Sequence, residues 1–150
     1  MAEDRDDLLR HYRQMGDELL AAIDGLSDEQ MSERSIDGWS VIDHLAHLTL
    51  WDEARATEVA RISAGHESAY RMSEEQDAAY NGLGFDLRRG WSPAQARWEL
   101  ETTRARLLEA IAAATPRAFD PSHYGEASLR STHVGQHAKW IRSWREQQGI

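Results

Sequence analysis

The chain has 150 residues, a net charge of -9, seven histidines, six tryptophans and no cysteine. That length is one domain with its own core, and the missing thiols exclude disulfides, cysteine nucleophiles and cysteine-type zinc sites. Most of the negative excess lies in the first fifty residues, and an acidic surface repels phosphate backbones, so nucleic acid is not an expected partner.

No apolar run reaches the ~20 residues of a membrane span. The acidic opening Met1-Ala2-Glu3-Asp4 lacks the basic and apolar regions of a signal peptide. A cytoplasmic protein without a membrane partner is the expectation, and a homodimer is the default if it assembles.

Helical periodicity dominates, and no strand-like alternation competes. From about Asp4 to Asp24, Leu8, Tyr12, Met15, Leu19 and Ile23 recur three and four apart, making one apolar stripe that Gly25 stops. The second helix opens at Ser40, where Ser40 and Asp43 form a variant capping box. Val41, Leu45, Leu48, Val59 and Ile62 are its stripe, and Ala64-Gly65 ends it. A segment from Ser73 to Arg89 begins with another box, Ser73 to Gln76. Two glycines follow at 82 and 84, each costing about 1 kcal/mol in a helix interior, so a helix broken or ended near Asn81 is predicted.

The third long helix has Ser92 as N-cap, Pro93 at its first position and Gln95 completing the box. Ala96, Leu100, Thr103, Leu107, Ile111 and Ala114 supply its stripe, and Pro116 marks the exit. The fourth runs from Ser128 or Ser131 to Gln147, with Leu129, His133, Gln136, His137, Trp140 and Trp144 on one side. These elements predict an all-α four-helix bundle, residues 1–150 as one domain. A connection of about 28 residues between long helices two and three permits parallel neighbours.

His133 and His137 are spaced i, i+4, one turn apart on one face, where they can share a metal ion. A third imidazole from another helix would complete a facial set and leave positions open for water and substrate. Two histidines of the second helix compete for that role. His44 lies nearer the centre of the apolar stripe, whereas His47 lies on its flank, one turn from Trp51. His11, His66 and His123 read as surface residues. Trp39 reads as a staple before the second helix. Trp51, Trp140 and Trp144 are candidates to wall an apolar substrate pocket. Glu58, Tyr80 and Asn81 are candidate proton carriers or substrate holders, with Glu58 and Tyr80 as the catalytic pair and Asn81 on the substrate.

The run Gly38-Trp39-Ser40-Val41-Ile42-Asp43-His44-Leu45-Ala46-His47-Leu48-Thr49-Leu50-Trp51-Asp52 resembles the second-helix signature of the DinB-like superfamily. Ser131-Thr132-His133-Val134-Gly135-Gln136-His137 resembles the last helix of that superfamily. Leu19 to Glu29 matches it in character, so the likeness spans nearly the whole chain in order. The resemblance implies a four-helix bundle with a long crossover after the second helix. It also implies a divalent metal, nickel or zinc among others, held by one histidine of helix two and two of helix four. Those positions fall on His47, His133 and His137. Relatives include thiol-dependent enzymes that use mycothiol, bacillithiol or glutathione, which implies a low-molecular-weight thiol as a further cofactor.

The tryptophan pattern, with Trp140 and Trp144 at the end, is similar to the branch holding proteins of the colibactin self-resistance type. The expected function is a metal-dependent enzyme acting on a small electrophilic molecule by thiol transfer, addition or hydrolysis. Two alternatives stand beside it. One is a metal-free resistance hydrolase with His and Glu side chains as acid and base. The other is a protein that sequesters a hydrophobic small molecule without turnover.

Overall fold

The computed structural model describes residues 1–150, and it contains helices and loops but no strands. Six α-helices occur in chain order: α1 Arg5–Ile23, α2 Asp28–Ser32, α3 Val41–Ser63, α4 Glu74–Arg88, α5 Pro93–Ala113 and α6 His133–Gln148. Two short 3-10 turns, Pro116–Phe119 and Pro121–His123, lie between α5 and α6. No helix is long and apolar enough to cross a membrane.

Local chemistry sets most of the starts. Ser40 and Ser73 form reciprocal capping boxes with Asp43 and Gln76, each satisfying two backbone donors that a helix N-terminus leaves unpaired. Ser27 caps α2 in the same way. Ser92 accepts from the Gln95 backbone and Pro93 follows it, but the Gln95 side chain does not return the bond, so half of the predicted box forms.

Contacts at the helix ends fix the topology. Thr115, just past α5, donates from N to Ser63 Oγ at 2.9 Å and from Oγ1 to Ser63 O at 3.0 Å. The C-termini of α3 and α5 therefore meet, and these two closely packed helices run parallel. Arg5 at the start of α1 donates to Ala114 O at 2.6 Å, which sets α1 antiparallel to α5. Arg145 near the end of α6 donates to Ala22 O at 2.9 Å and Asp24 O at 2.7 Å,, so α1 and α6 run parallel. The order is up-down-down-up. Residues 64–92, which include α4, make the crossover that carries the chain from the end of α3 back to the start of α5.

The stripes read from sequence close this bundle. Leu8, Tyr12, Leu19, Leu45, Ile62, Leu100, Ile111 and Ile141 are fully buried. Each aliphatic one contributes about 1.5–3 kcal/mol relative to leaving it exposed.

Two elements differ from the sequence reading. The α4 helix passes unbroken through Gly82 and Gly84. At Gly84 a Cβ would lie 2.4 Å from Leu50 Cδ2, whereas at Gly82 it would meet nothing. The second glycine is therefore what lets α4 lie close against α3, and that close packing offsets its poor helix propensity. Gly82→Ala should stabilise the protein by up to ~1 kcal/mol. Gly84→Ala should fall below it by about 1–3 kcal/mol, the usual cost of overpacking. Urea titration of the two variants side by side measures the difference, and equal stabilities would mean that the close approach is not needed.

The second difference is the late start of α6, at His133, with no side-chain cap from Thr132. The preceding segment is held from α1 instead. Tyr12 OH donates to Leu129 O and accepts from Ser131 N at 3.0 Å. The His11 ring bonds Ser131 O at 2.6 Å, so His11 is a half-buried tertiary contact rather than a surface residue. The buried face of α6 is Val134, His137, Ala138, Ile141 and Trp144. Gln136 and Trp140, predicted on that face, are exposed.

Candidate metal centre

The capping box at Ser40 starts α3 so that His44 and His47 fall on its first two turns. Trp39 precedes the cap and packs its ring 5.0 Å from that of His44, an N′ to N4 staple in which the partner is an imidazole. Trp39 does more than staple. It also lies 5.4 Å from the His47 ring and 6.1 Å from that of His137. Phe85 of α4 joins Trp39 against His47, nearly parallel to His47 at 5.8 Å and edge-on to Trp39 at 4.7 Å.

His133 and His137, on the first two turns of α6, face this cluster from across the bundle. One ring nitrogen from each of His47, His133 and His137 lies within 4.8 Å of the other two. His47 Nε2 and His133 Nε2 are 3.4 Å apart, about the edge of a tetrahedral site with ~2.1 Å metal–nitrogen bonds.

The electrostatics suit a cation ligand set. Burial lowers the His47 pKa to about 4, helped by the neighbouring His133 and His44. It lowers His137 to about 2, helped by His44, His133 and His47. Burial followed by the charge of Arg55 also lowers His133, with Asp77 opposing. All three imidazoles are thus neutral near pH 7, the form that binds a metal. His47 Nδ1 is buried without a partner. By the chemistry of their donors, the residues fit a divalent ion.

A cavity of about 490 Å³ opens from His47 and His133, lined also by Trp51, Arg55, Asp77 and Asn81. It is polar, which corrects the expected apolar pocket. Trp51 walls it, with its indole N–H bonded to Asn81 Oδ1 at 2.8 Å. Asn81 in turn donates to Asp77 O at 2.9 Å. Arg55 is almost fully buried and donates to Ser128 O at 2.7 Å and Asp52 Oδ1 at 3.0 Å. Its guanidinium is the cavity's fixed positive group.

Trp140 and Trp144 are elsewhere. They line a second cavity, of about 370 Å³, with Trp39, His44, Ile36 and Ser143. Trp140 does touch His137, edge-on at 4.7 Å, but it does not line the cavity that Trp51 walls. The three tryptophans therefore cannot wall one pocket.

Glu58 is fully buried and does not line the cavity at the histidines. Its carboxylate accepts from Arg61, from Ser68 Oγ and from Ala69 N at 2.9 Å, so it clamps the loop after α3. Tyr80 stands behind Trp51, ring centroids 5.3 Å apart, with its hydroxyl 3.1 Å from Tyr70 OH. Burial pushes its phenol pKa up, with the Tyr70 hydrogen bond adding to the effect, so it stays protonated at neutral pH.

Sequence reasoning missed Phe85, which lies on the helix predicted to break, and Arg55, which is covered by Tyr12 of α1 and the loop at Ser128. It placed His44 second to His47. The structure brings both into the cluster, with His44 Nδ1 and His137 Nδ1 2.6 Å apart.

Comparisons with known proteins agree with this architecture. A family model described as the DinB superfamily matches residues 11–141. The crystal structure of a protein from Streptococcus pneumoniae superposes with a TM-score of 0.78 at 11% identity, covering 97% of this chain and 92% of that one. At that identity the likeness shows the fold. No curated protein sequence gives a significant match.

Proposed function

Because the chain belongs to the DinB superfamily, we propose that it is a metal-dependent enzyme acting on a small electrophilic molecule, with His47, His133 and His137 holding one divalent ion. The observation that carries this is the convergence of three neutral imidazoles beside an open polar cavity. Three protein ligands leave a position free for substrate or water, as catalytic sites require and structural sites do not. Zinc or nickel suits such a nitrogen set. When bound, such an ion supplies Lewis acidity and lowers the pKa of a water or thiol beside it.

The protein's own groups supply the rest. Arg55 offers charge-assisted hydrogen bonds to a carbonyl or anionic part of the substrate. Asn81 and the Trp51 face orient it, and Phe85 and Trp39 shield the histidines. Thiol transfer, addition and hydrolysis all fit this arrangement. A low-molecular-weight thiol is the proposed second cofactor for the first of them. The polar cavity favours substrates with hydrogen-bonding groups over purely apolar ones. A nucleic-acid partner is not proposed, given the charge of -9.

The test begins with metal content and thermal stability. Zinc at a hundredfold excess over its Kd should add about 2.7 kcal/mol, or about 5–11 °C in melting temperature for a domain of this size. His133→Ala should abolish the rise. A melt unchanged by zinc in protein stripped of metal would overturn the metal reading. Metal-loaded protein is then assayed on a panel of small electrophiles with and without glutathione, mycothiol or bacillithiol. Turnover only with a thiol assigns transfer, turnover without one assigns hydrolysis or addition, and saturable binding without product assigns sequestration.

A further inference from the structure

We propose that His44 is a positioning residue of the metal centre: it holds His137 in the one tautomer that presents Nε2 to the ion. The inference rests on the three-histidine reading above and extends it to a residue outside that set.

The geometry is specific. His44 Nδ1 and His137 Nδ1 are 2.6 Å apart, with both side chains buried. A hydrogen bond between two imidazole nitrogens needs one N–H and one bare nitrogen. His137 therefore directs Nδ1 away from the ligand set, which leaves Nε2 as its ligating atom. A neutral His137 bound through Nε2 carries its proton on Nδ1 and donates it to His44 Nδ1. His44 must then carry its own proton on Nε2. Two tautomers follow from one contact, and metal binding requires that pair rather than its reverse.

The His44 ring is itself fixed. Trp39 packs on it at 5.0 Å and Trp140 approaches at 6.4 Å. Held in this way, its bare Nδ1 stays aimed at His137 as the acceptor of the pair. Such an acceptor behind a ligating histidine orients the ring and raises its basicity, and losing one typically costs 10–100-fold in metal affinity. His44 is not a fourth ligand in this arrangement, because its Nδ1 is occupied by His137 and lies behind that ring.

Competitive titration of zinc against a chromophoric chelator tests the proposal, on wild type, His44→Phe and His44→Asn. Phe keeps the aromatic packing on Trp39 but has no acceptor, while the Asn carboxamide oxygen sits near the place of Nδ1. His44→Phe should bind zinc 10–100-fold more weakly, and His44→Asn should recover most of that loss. A merely structural role would give no rescue by Asn. Nitrogen NMR of the zinc-loaded wild type supplies a readout independent of folding of the variants. It should show the proton on Nδ1 of His137 and on Nε2 of His44. Wild-type affinity in a folded His44→Phe, equal losses in both variants, or the reversed tautomers would overturn the role of His44 while leaving the metal site standing. Absence of zinc binding by the wild type would overturn both.

Discussion

Replacing Asp52 by Ala should destabilise the protein by about 3–5 kcal/mol, the cost of removing one partner from a buried ion pair. Asp52 on α3 is 1% exposed and Arg55 is 3% exposed. Arg104 from α5 is also buried, and donates to the Tyr12 carbonyl of α1. Burial pushes the Asp52 carboxyl up while Arg55 and Arg104 pull it down. Asp52 thus pairs directly with Arg55 and acts on Arg104 through its charge, at the centre of the bundle. Gly16 makes the space, since a Cβ there would lie 2.5 Å from Arg104 Cζ. Without Asp52 the buried Arg55 loses its ion-pair partner and Arg104 loses a compensating charge, whereas Asp52→Asn keeps the shape and one acceptor and should lose less. Urea unfolding of the two variants measures this. A loss below about 1 kcal/mol for Asp52→Ala would show that the cluster relaxes into water. Arg55 also ties Ser128 to α3, so the same substitution should loosen the cavity wall and weaken zinc binding.

The parts of this fold that were legible in the sequence are those whose causes are local. Ser40, Ser73 and Ser92 announce helix starts because capping bonds join residues three apart. The apolar stripes of α1, α3 and α5 are periodic in sequence for the same reason. The continuity of α4 is not legible because its cause is tertiary: Gly84 packs against Leu50, on another helix. The start of α6 is not legible because Tyr12 and His11, more than a hundred residues away, hold the chain that precedes it. The buried face of α6 is ambiguous in sequence because a strip three and four residues apart can be drawn through either Trp140 or Ile141, and packing in the bundle selects the latter.

The site divides in the same way. His133 and His137 were legible as a pair from spacing, and His47 from the motif around it. Nothing local distinguishes a ligand from the residue that orients it, so His44 could be ranked only against His47 and not beside it. Glu58 illustrates the opposite error. A carboxylate on a helix near a site invites a catalytic reading, but the loop at Ser68 and Ala69 folds back to occupy it. Trp51 and Trp140 sit one turn from different histidines, and only the three-dimensional arrangement shows that the histidines separate them into two cavities.

Metal-free protein should lose stability steadily as pH falls from about 7 to 4. The relevant groups are His44 and His47 from α3 and His133 and His137 from α6, with Asp43, Asp77 and Arg55 facing them. Burial depresses all four imidazoles below their ordinary 6.5, His44 and His47 to about 4 and His137 to about 2. Between 6.5 and 4 the unfolded chain binds protons that the native state refuses. Stability therefore rises with pH through this window. The contribution is fully present above the unfolded value, and it is lost as pH falls toward the folded ones. A single histidine held near 4 corresponds to about 3 kcal/mol. The four are coupled and do not add, yet even one such loss is large against the 5–15 kcal/mol of a typical domain. Urea midpoints of chelator-treated protein between pH 7.5 and 4 should fall, and His47→Gln should flatten the curve by removing one titrating group. Saturating zinc should move the loss to lower pH, because protons must then compete with the metal for the same nitrogens. A curve flat from pH 7 to 5 in the metal-free protein would mean that the imidazoles titrate as in water, and that the cluster is open to solvent rather than held as a dry ligand set.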